Sequence, residues 1–143
     1  MKRVLGENWA LPALDDDNRA FFTSGKLVVQ QCSQCEKFQH APEDICQSCQ
    51  SFELHNFESQ GQGKVESVAV VDHAIHPSLK DQVPYAIVAV SVDDAPGVLI
   101  VGNVIGKAPD DIRIGDNVSV VFEEVDDERS GERLRIPQWQ AVQ

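Results

Sequence analysis

Positive charge is scarce in this sequence: 12 lysines and arginines face 23 aspartates and glutamates, a formal net charge of −11. A surface of that sign repels phosphate backbones, which supply most non-specific nucleic-acid affinity. Aromatic side chains are few as well, with two Trp, one Tyr and six Phe, so stacking platforms for bases are limited. Long apolar runs are missing, the longest being the strand-sized Val98-Leu-Ile-Val101, far short of a membrane-spanning helix. The start, Met1-Lys-Arg-Val-Leu-Gly-Glu7, lacks a sustained apolar stretch and a cleavage site, so no signal peptide is expected. Also lacking are a Gly-x-Ser-x-Gly elbow, a glycine-rich phosphate loop and a dinucleotide fingerprint. These absences remove the commonest hydrolase, nucleotidase and dehydrogenase signatures.

Cysteine is present only four times, all in two pairs, Cys32-Ser-Gln-Cys35 and Cys46-Gln-Ser-Cys49, with ten residues between them. Each Cys-x-x-Cys turn aims two thiolates at one point, and two turns complete a tetrahedron around Zn²⁺. Two disulfides or four unrelated buried thiols are the alternatives, but a secreted disulfide scaffold is usually smaller and denser in cysteine. Iron also accepts four thiolates. A four-cysteine zinc site is closed, leaving no position for water or substrate, so its expected role is to fold the chain. Thiols kept free for a metal, together with the missing leader, point to the cytoplasm.

Along the chain, 12–26 reads as a short helix, with Asp15, Asp16 and Asp17 at its start and Gly25 as its stop. Phe21 and Phe22 cannot both face inward on a lone helix, so one is assigned to the protein's own core. The other, Phe22, and Trp9 are candidates for contact with a partner. Residues 27–60 read as a zinc ribbon of strand, knuckle, loop, knuckle and strand. Phe38 and Ile45 are expected to cover the metal, and Phe52, Leu54 and Phe57 to alternate toward the ribbon core. His40 is assigned to the surface. A polar joint, Ser59-Gln-Gly-Gln-Gly63, precedes five predicted strands. These cover Lys64–Ile75, Pro84–Val92, Val98–Val104, a run opened by Gly115-Asp116, and a last one from Leu134 to near Trp139. A helical turn over Ala108–Ile112 falls between the third and fourth, which is the layout of an OB-type barrel. The expected protein is therefore mainly β, with segments 1–26 (helical), 27–60 (rubredoxin-like zinc ribbon) and 61–143 (five-stranded OB-fold barrel).

The residues offer little catalytic chemistry. With the cysteines committed to metal, no thiol nucleophile remains. His73 and His76, three apart on a predicted strand, should point to opposite faces and make a poor metal pair. One of them, or Tyr85 nearby, could touch a ligand in the loop region, although satisfied loop residues would look the same. Asp110-Asp111 and Glu123-Glu124 read as solvated charge. The barrel segment carries seven positive and fourteen negative groups, and its stacking candidates are Tyr85, Phe122 and Trp139. A nucleic-acid-binding ribbon/OB module is thus a reading that charge opposes.

The order of the pieces resembles a known family. It is carried by the aromatic N-terminal segment, Lys26-Leu27 leading into Cys-x-x-Cys, Pro42 before the second pair, and Gly63-Lys-Val-Glu-Ser-Val-Ala-Val-Val71. Further marks are His76-Pro77, Val83-Pro84-Tyr85-Ala-Ile-Val-Ala-Val90, Gly102-Asn103 and Ile114-Gly115-Asp116 with Val118. Together these resemble the acyl-CoA-associated zinc-ribbon/OB-fold family, formerly a family of unknown function, over 14–139. The resemblance implies a non-catalytic accessory subunit with structural Zn²⁺, held in a hetero-oligomer with a CoA-ester enzyme. Members associate with thiolase-superfamily proteins, including retro-aldolases of steroid side-chain breakdown, so the chain would belong to a lyase or acyltransferase complex. Other members pair with hotdog-fold enoyl-CoA hydratases. Two departures stand out: Glu36 and Gln50 follow the knuckles where relatives carry glycine, and the loop Pro42-Glu-Asp44 is acidic where relatives are often basic.

Overall fold

The computed structural model describes residues 3–143; Met1 and Lys2, part of the stretch read for a leader, lie outside the described residues. The apolar residues of the strands alternate, and the architecture follows from that. In β5 (Tyr85–Val92) Ala86, Val88, Val90 and Val92 are buried while the residues between them face out. Around it close β4 (Gln62–Val71), β6 (Leu99–Ile105), β7 (Asn117–Asp127) and β8 (Glu132–Ala141), in the barrel order β4-β5-β6-β8-β7. A 3₁₀ turn at Pro109–Asp111 stands between β6 and β7. Trp139, fully buried, plugs the interior beside Val65, Val88, Ile100 and Val118. This is the expected OB-type barrel. Among the described residues no helix is long and apolar enough to cross a membrane.

The N-terminal part of the chain builds a second, smaller sheet from β1 (Val28–Cys32), β2 (Phe38–Gln39) and β3 (Leu54–Glu58), all antiparallel in the order β2-β1-β3. Leu27 and Val29 join the same apolar cluster as the barrel. Ser59 and the Gln60 amide both donate to the Asp94 carboxylate. Ribbon and barrel therefore share one core.

Several expectations are corrected. The helix is one short turn, α1 (Arg19–Thr23), rather than all of 12–26. Asp15 and Asn18 exchange backbone-to-side-chain hydrogen bonds at 2.8 Å, which hold an Asx-type turn and keep the aspartates out of the helix. Strand β4 ends at Val71, so His73, Ala74 and Ile75 lie in a loop. It also begins earlier, at Gln62, so the glycine-containing joint is partly strand. Gly63 pairs with both Val92 and Val118 where the barrel closes. A Cβ on Gly63 would meet the Ser91 carbonyl oxygen and Val90 Cγ1, each at 2.5 Å. Gly63→Ala is expected to cost about 2 kcal/mol, read by urea denaturation, because backbone must shift to admit the methyl group.

Candidate metal centre and loop site

The two knuckles sit at the tip of the ribbon. The loops after Cys32 and Cys46 turn back tightly: the Glu36 amide donates to the Cys32 carbonyl and the Gln50 amide to the Cys46 carbonyl, both at 2.9 Å. Both turns need a left-handed residue, and Glu36 and Gln50 adopt φ of 64°, the strained conformation for which glycine is the usual choice.

The four Sγ atoms all lie within 4.8 Å of one another, with Cys32–Cys49 and Cys35–Cys46 at 3.6 Å. A zinc tetrathiolate with Zn–S of about 2.3 Å has sulfur–sulfur edges of about 3.8 Å, so the spacing fits. All four cysteines are free thiols, which removes the disulfide alternative. The backbone prepares the site for anionic sulfur. Amides of Cys35 and Gln34 lower the Cys32 thiol, and those of Cys49 and Ser48 pull Cys46 down to about 6. At Cys49 the Ser51 amide also favours the thiolate, but burial and the three neighbouring sulfurs outweigh it and push the thiol up to about 11. Four thiolates without a cation repel one another, and a divalent ion relieves that. Zinc held here by Cys32, Cys35, Cys46 and Cys49 would supply cross-linking of the two knuckles.

Phe38 and Ile45, expected to cover the metal, have different surroundings. Phe38 packs edge-on against Phe57, with centroids 5.0 Å apart, but Ile45 is exposed. Phe52, expected in the ribbon core, is 78% exposed at the tip. His40, expected at the surface, is half-buried and lies 4.8 Å from the Phe21 ring. Burial holds its imidazole below the ordinary 6.5, favouring the neutral form. A depressed folded-state value means that this contribution is complete above about pH 6.5 and is lost as pH falls through the folded-state pKa. NMR titration should therefore place His40 below 6.5, and His40→Gln should flatten the fall in melting temperature below pH 6.5.

The other candidate residues gather in two places. His73 and His76 both line an open hollow of about 480 Å³ with Asp72, Ile75, Pro77 and Lys80. Their expected separation to opposite faces fails because the strand has already ended. His76 caps the 3₁₀ turn Pro77–Leu79, its Nδ1 accepting from the Ser78 amide, and Trp9 meets its ring edge-on at 6.0 Å. Tyr85 is half-buried at the start of β5, outside the hollow. Phe22 is half-buried and packs edge-on against Phe21, which is the inward-facing member of the pair. With Trp9 it lines a second cavity, of about 200 Å³, beneath the N-terminal segment.

That cavity holds what the sequence did not reveal. Glu123, read as solvated, is 4% exposed. Its carboxylate accepts from the Val4 amide at 2.6 Å and from Gln138 Nε2 at 3.2 Å, and Arg3 Nε stands 3.9 Å away. Gln138 in turn accepts from the Asn103 amide at 2.7 Å. That bond bridges a gap, since β6 and β8 pair only at Val104–Trp139 and Ile105–Gln140. No local signal marks Glu123, because what buries it is a segment about 120 residues away in sequence.

Fold and site define a zinc-ribbon/OB-fold protein whose metal centre is structural; among the described residues the four cysteines are the one cluster of three or more metal-ligating groups. Two family models match, "ChsH2, rubredoxin-like zinc ribbon domain" over 20–55 and "ChsH2, C-terminal OB-fold domain" over 58–123. A solved chain described as "Ltp2-ChsH2(DUF35) aldolase" superposes with a TM-score of 0.76 at 32% identity, covering 92% of this chain and 98% of that one. The "Probable enoyl-CoA hydratase alpha subunit" of Thermomonospora curvata is 36% identical over 120 residues, 82% of this chain. This chain spans only 36% of that relative's length. A "DUF35 domain-containing scaffold protein" of Methanocaldococcus jannaschii is 28% identical over 100 residues, 69% of each chain. The chain belongs to the ChsH2 (DUF35) zinc-ribbon/OB-fold family.

Proposed function

We propose that this chain is a non-catalytic accessory subunit of a CoA-ester-processing complex. Its partner is a thiolase-superfamily enzyme, either a thiolase or a retro-aldolase of steroid or lipid side-chain degradation. The observation that carries this reading is the likeness over nearly the full length to the ChsH2 chain of an aldolase. The chain's own chemistry agrees with it: the metal centre is closed, and the Ser–His contact at the hollow, Ser78 Oγ to His76 Nδ1 at 2.7 Å, is a local bond within the cap of the 3₁₀ turn. In this reading residues 1–26 and 61–143 form the docking body and 27–60 the metal clasp. Trp9, Phe22, His73, His76 and Tyr85 serve the partner or the edge of its CoA-ester site. The free thiols suit the reducing cytoplasm.

The test is co-purification of the tagged chain from its native cells, with the partner identified by mass spectrometry. A thiolase-like or aldolase protein whose CoA-ester activity depends on this chain is the expected result. Turnover of a CoA thioester or aldol substrate by the isolated chain would defeat the accessory reading.

A second reading, a partner of a hotdog-fold enoyl-CoA hydratase, is favoured by the 36% identity to the hydratase alpha subunit. The same experiment separates the two. Steep salt-dependent binding to single-stranded DNA would instead revive the nucleic-acid reading, which the net charge of −11 opposes.

A further inference from the structure

Residues 3–12 lie against the barrel without becoming part of it. Among the described residues this segment contains no helix and no strand, and from Arg3 to Ala20 no residue as a whole is buried. Its hydrogen bonds to the rest of the protein are few. The Val4 amide donates to Glu123 at 2.6 Å, and the Leu11 and Pro12 carbonyls each accept from Arg129 at 3.4 Å. Trp9 adds its edge-on contact with His76. A segment with so few backbone bonds and buried contacts belongs to the low-stability end of a fold.

Beneath it runs a polar row that the barrel completes by itself. Asn103 on β6, Gln138 on β8 and Glu123 on β7 are all buried and bonded in turn, at 2.7 and 3.2 Å. Glu123 Oε1 takes the Gln138 bond, and Oε2 is left to the segment. The segment's own side of the contact is incomplete. Arg3, its side chain 4% exposed, holds Nε 3.9 Å from Oε2 and without a hydrogen-bond partner. A cavity of about 200 Å³ also remains between them, with Phe22, Ile136, Leu5 and Trp9 among its walls. An unpaired buried donor and an unfilled cavity mark a loosely matched occupant, since a barrel's integral parts pack closely and pair their polar groups.

We propose that Glu123, Gln138 and Asn103 floor a peptide-binding cleft, and that residues 3–12 are a detachable strap occupying it in cis. The cleft recognises an extended segment that offers a main-chain amide to Glu123 Oε2, an arginine beside it, and an apolar side chain for the cavity. The chain's own Arg3-Val4-Leu5 supplies that pattern. A segment of the same pattern on another protein, filling the cavity better, displaces the strap. The strap is then an autoinhibitory contact. Tethering keeps it at an effective concentration on the order of millimolar, so a competitor must fit better or be held nearby in an assembly. The cleft does not depend on which enzyme the chain accompanies.

The test uses the full chain and a fluorescein-labelled peptide of residues 1–12, with binding read by anisotropy. Arg3→Ala combined with Val4→Pro removes both of the strap's donors while leaving the cleft untouched. That chain should bind the peptide about 10-fold or more tightly than wild type, whose cleft is already filled. Arg3→Ala within the peptide, or Glu123→Gln added to the chain, should each weaken that binding by about 30-fold, the loss expected when one partner of a buried charge pair is removed. Equal binding by the two chains, no binding by either, or indifference to the peptide's arginine overturns the cleft. Should the double variant fail to fold, hydrogen exchange of the wild-type chain decides. The Val4 amide should open about 10-fold or more as often as the amides of β5, without the urea dependence of global unfolding. A Val4 amide that opens only together with β5 makes the segment an integral part of the barrel and overturns the strap.

Discussion

Replacing Cys46 by Ser, or stripping zinc with a chelator, is expected to unfold the ribbon tip while the barrel keeps its fold. The reason is what the tip is made of. Between Ser33 and Glu53 the only buried residues are Gln39 and Cys46, so no apolar core remains to hold two strained knuckles once the metal is gone. Structural zinc supplies about 10–16 kcal/mol of apparent binding energy in small ribbons and fingers, far more than the few contacts here replace. Leu27 and Val29, by contrast, are packed in the barrel cluster and should stay ordered at the base. Hydrogen exchange should therefore become fast across 33–53 and remain slow in β5 and β7. Retained protection of the knuckles without zinc would show that the metal is not the clasp.

Glu123→Ala should destabilise the barrel markedly while leaving every strand in place. The carboxylate is the shared acceptor for the Val4 amide and the Gln138 side chain and the charge partner of Arg3. Removing it leaves a buried guanidinium whose Nε already lacks a hydrogen-bond partner. Breaking a buried pair in this way costs about 3–5 kcal/mol when the orphaned charge must stay buried. Arg3 belongs to an irregular segment, and letting that segment lift away returns the charge to water. The expected loss is therefore nearer about 3 kcal/mol by urea denaturation. Faster exchange at the amides of residues 4–12 should accompany it. A stability loss with undisturbed exchange there would place the effect elsewhere.

These two residues also mark how far the sequence could be read. The cysteine pairs were legible because metal ligation is local: the Cys-x-x-Cys spacing is itself the geometry, and the sulfurs lie within 4.8 Å of one another as the motif requires. The barrel was legible because alternation of β-branched residues with exposed positions states both the strand and its inward face. The order of β4 to β8 with a turn before β7 follows from that. Even the departure at Glu36 and Gln50 had a physical content that the structure bears out, since both adopt the left-handed conformation.

What stayed hidden depends on segments distant in sequence. Phe52 was expected to alternate toward the ribbon core, yet β3 begins only at Leu54 and leaves Phe52 on the exposed bend before it. Asp15–Asp17 look like a helix start, but Asn18 pairs with Asp15 and delays the helix to Arg19. His73 and His76 share a hollow because β4 stops at Val71, which the run of valines did not announce. Glu123 carries the clearest lesson. Its strand position follows from sequence, but its burial was decided by the N-terminal segment folding across β7 and β8. A carboxylate's environment is set by what packs over it, and that partner is chosen only by the tertiary structure.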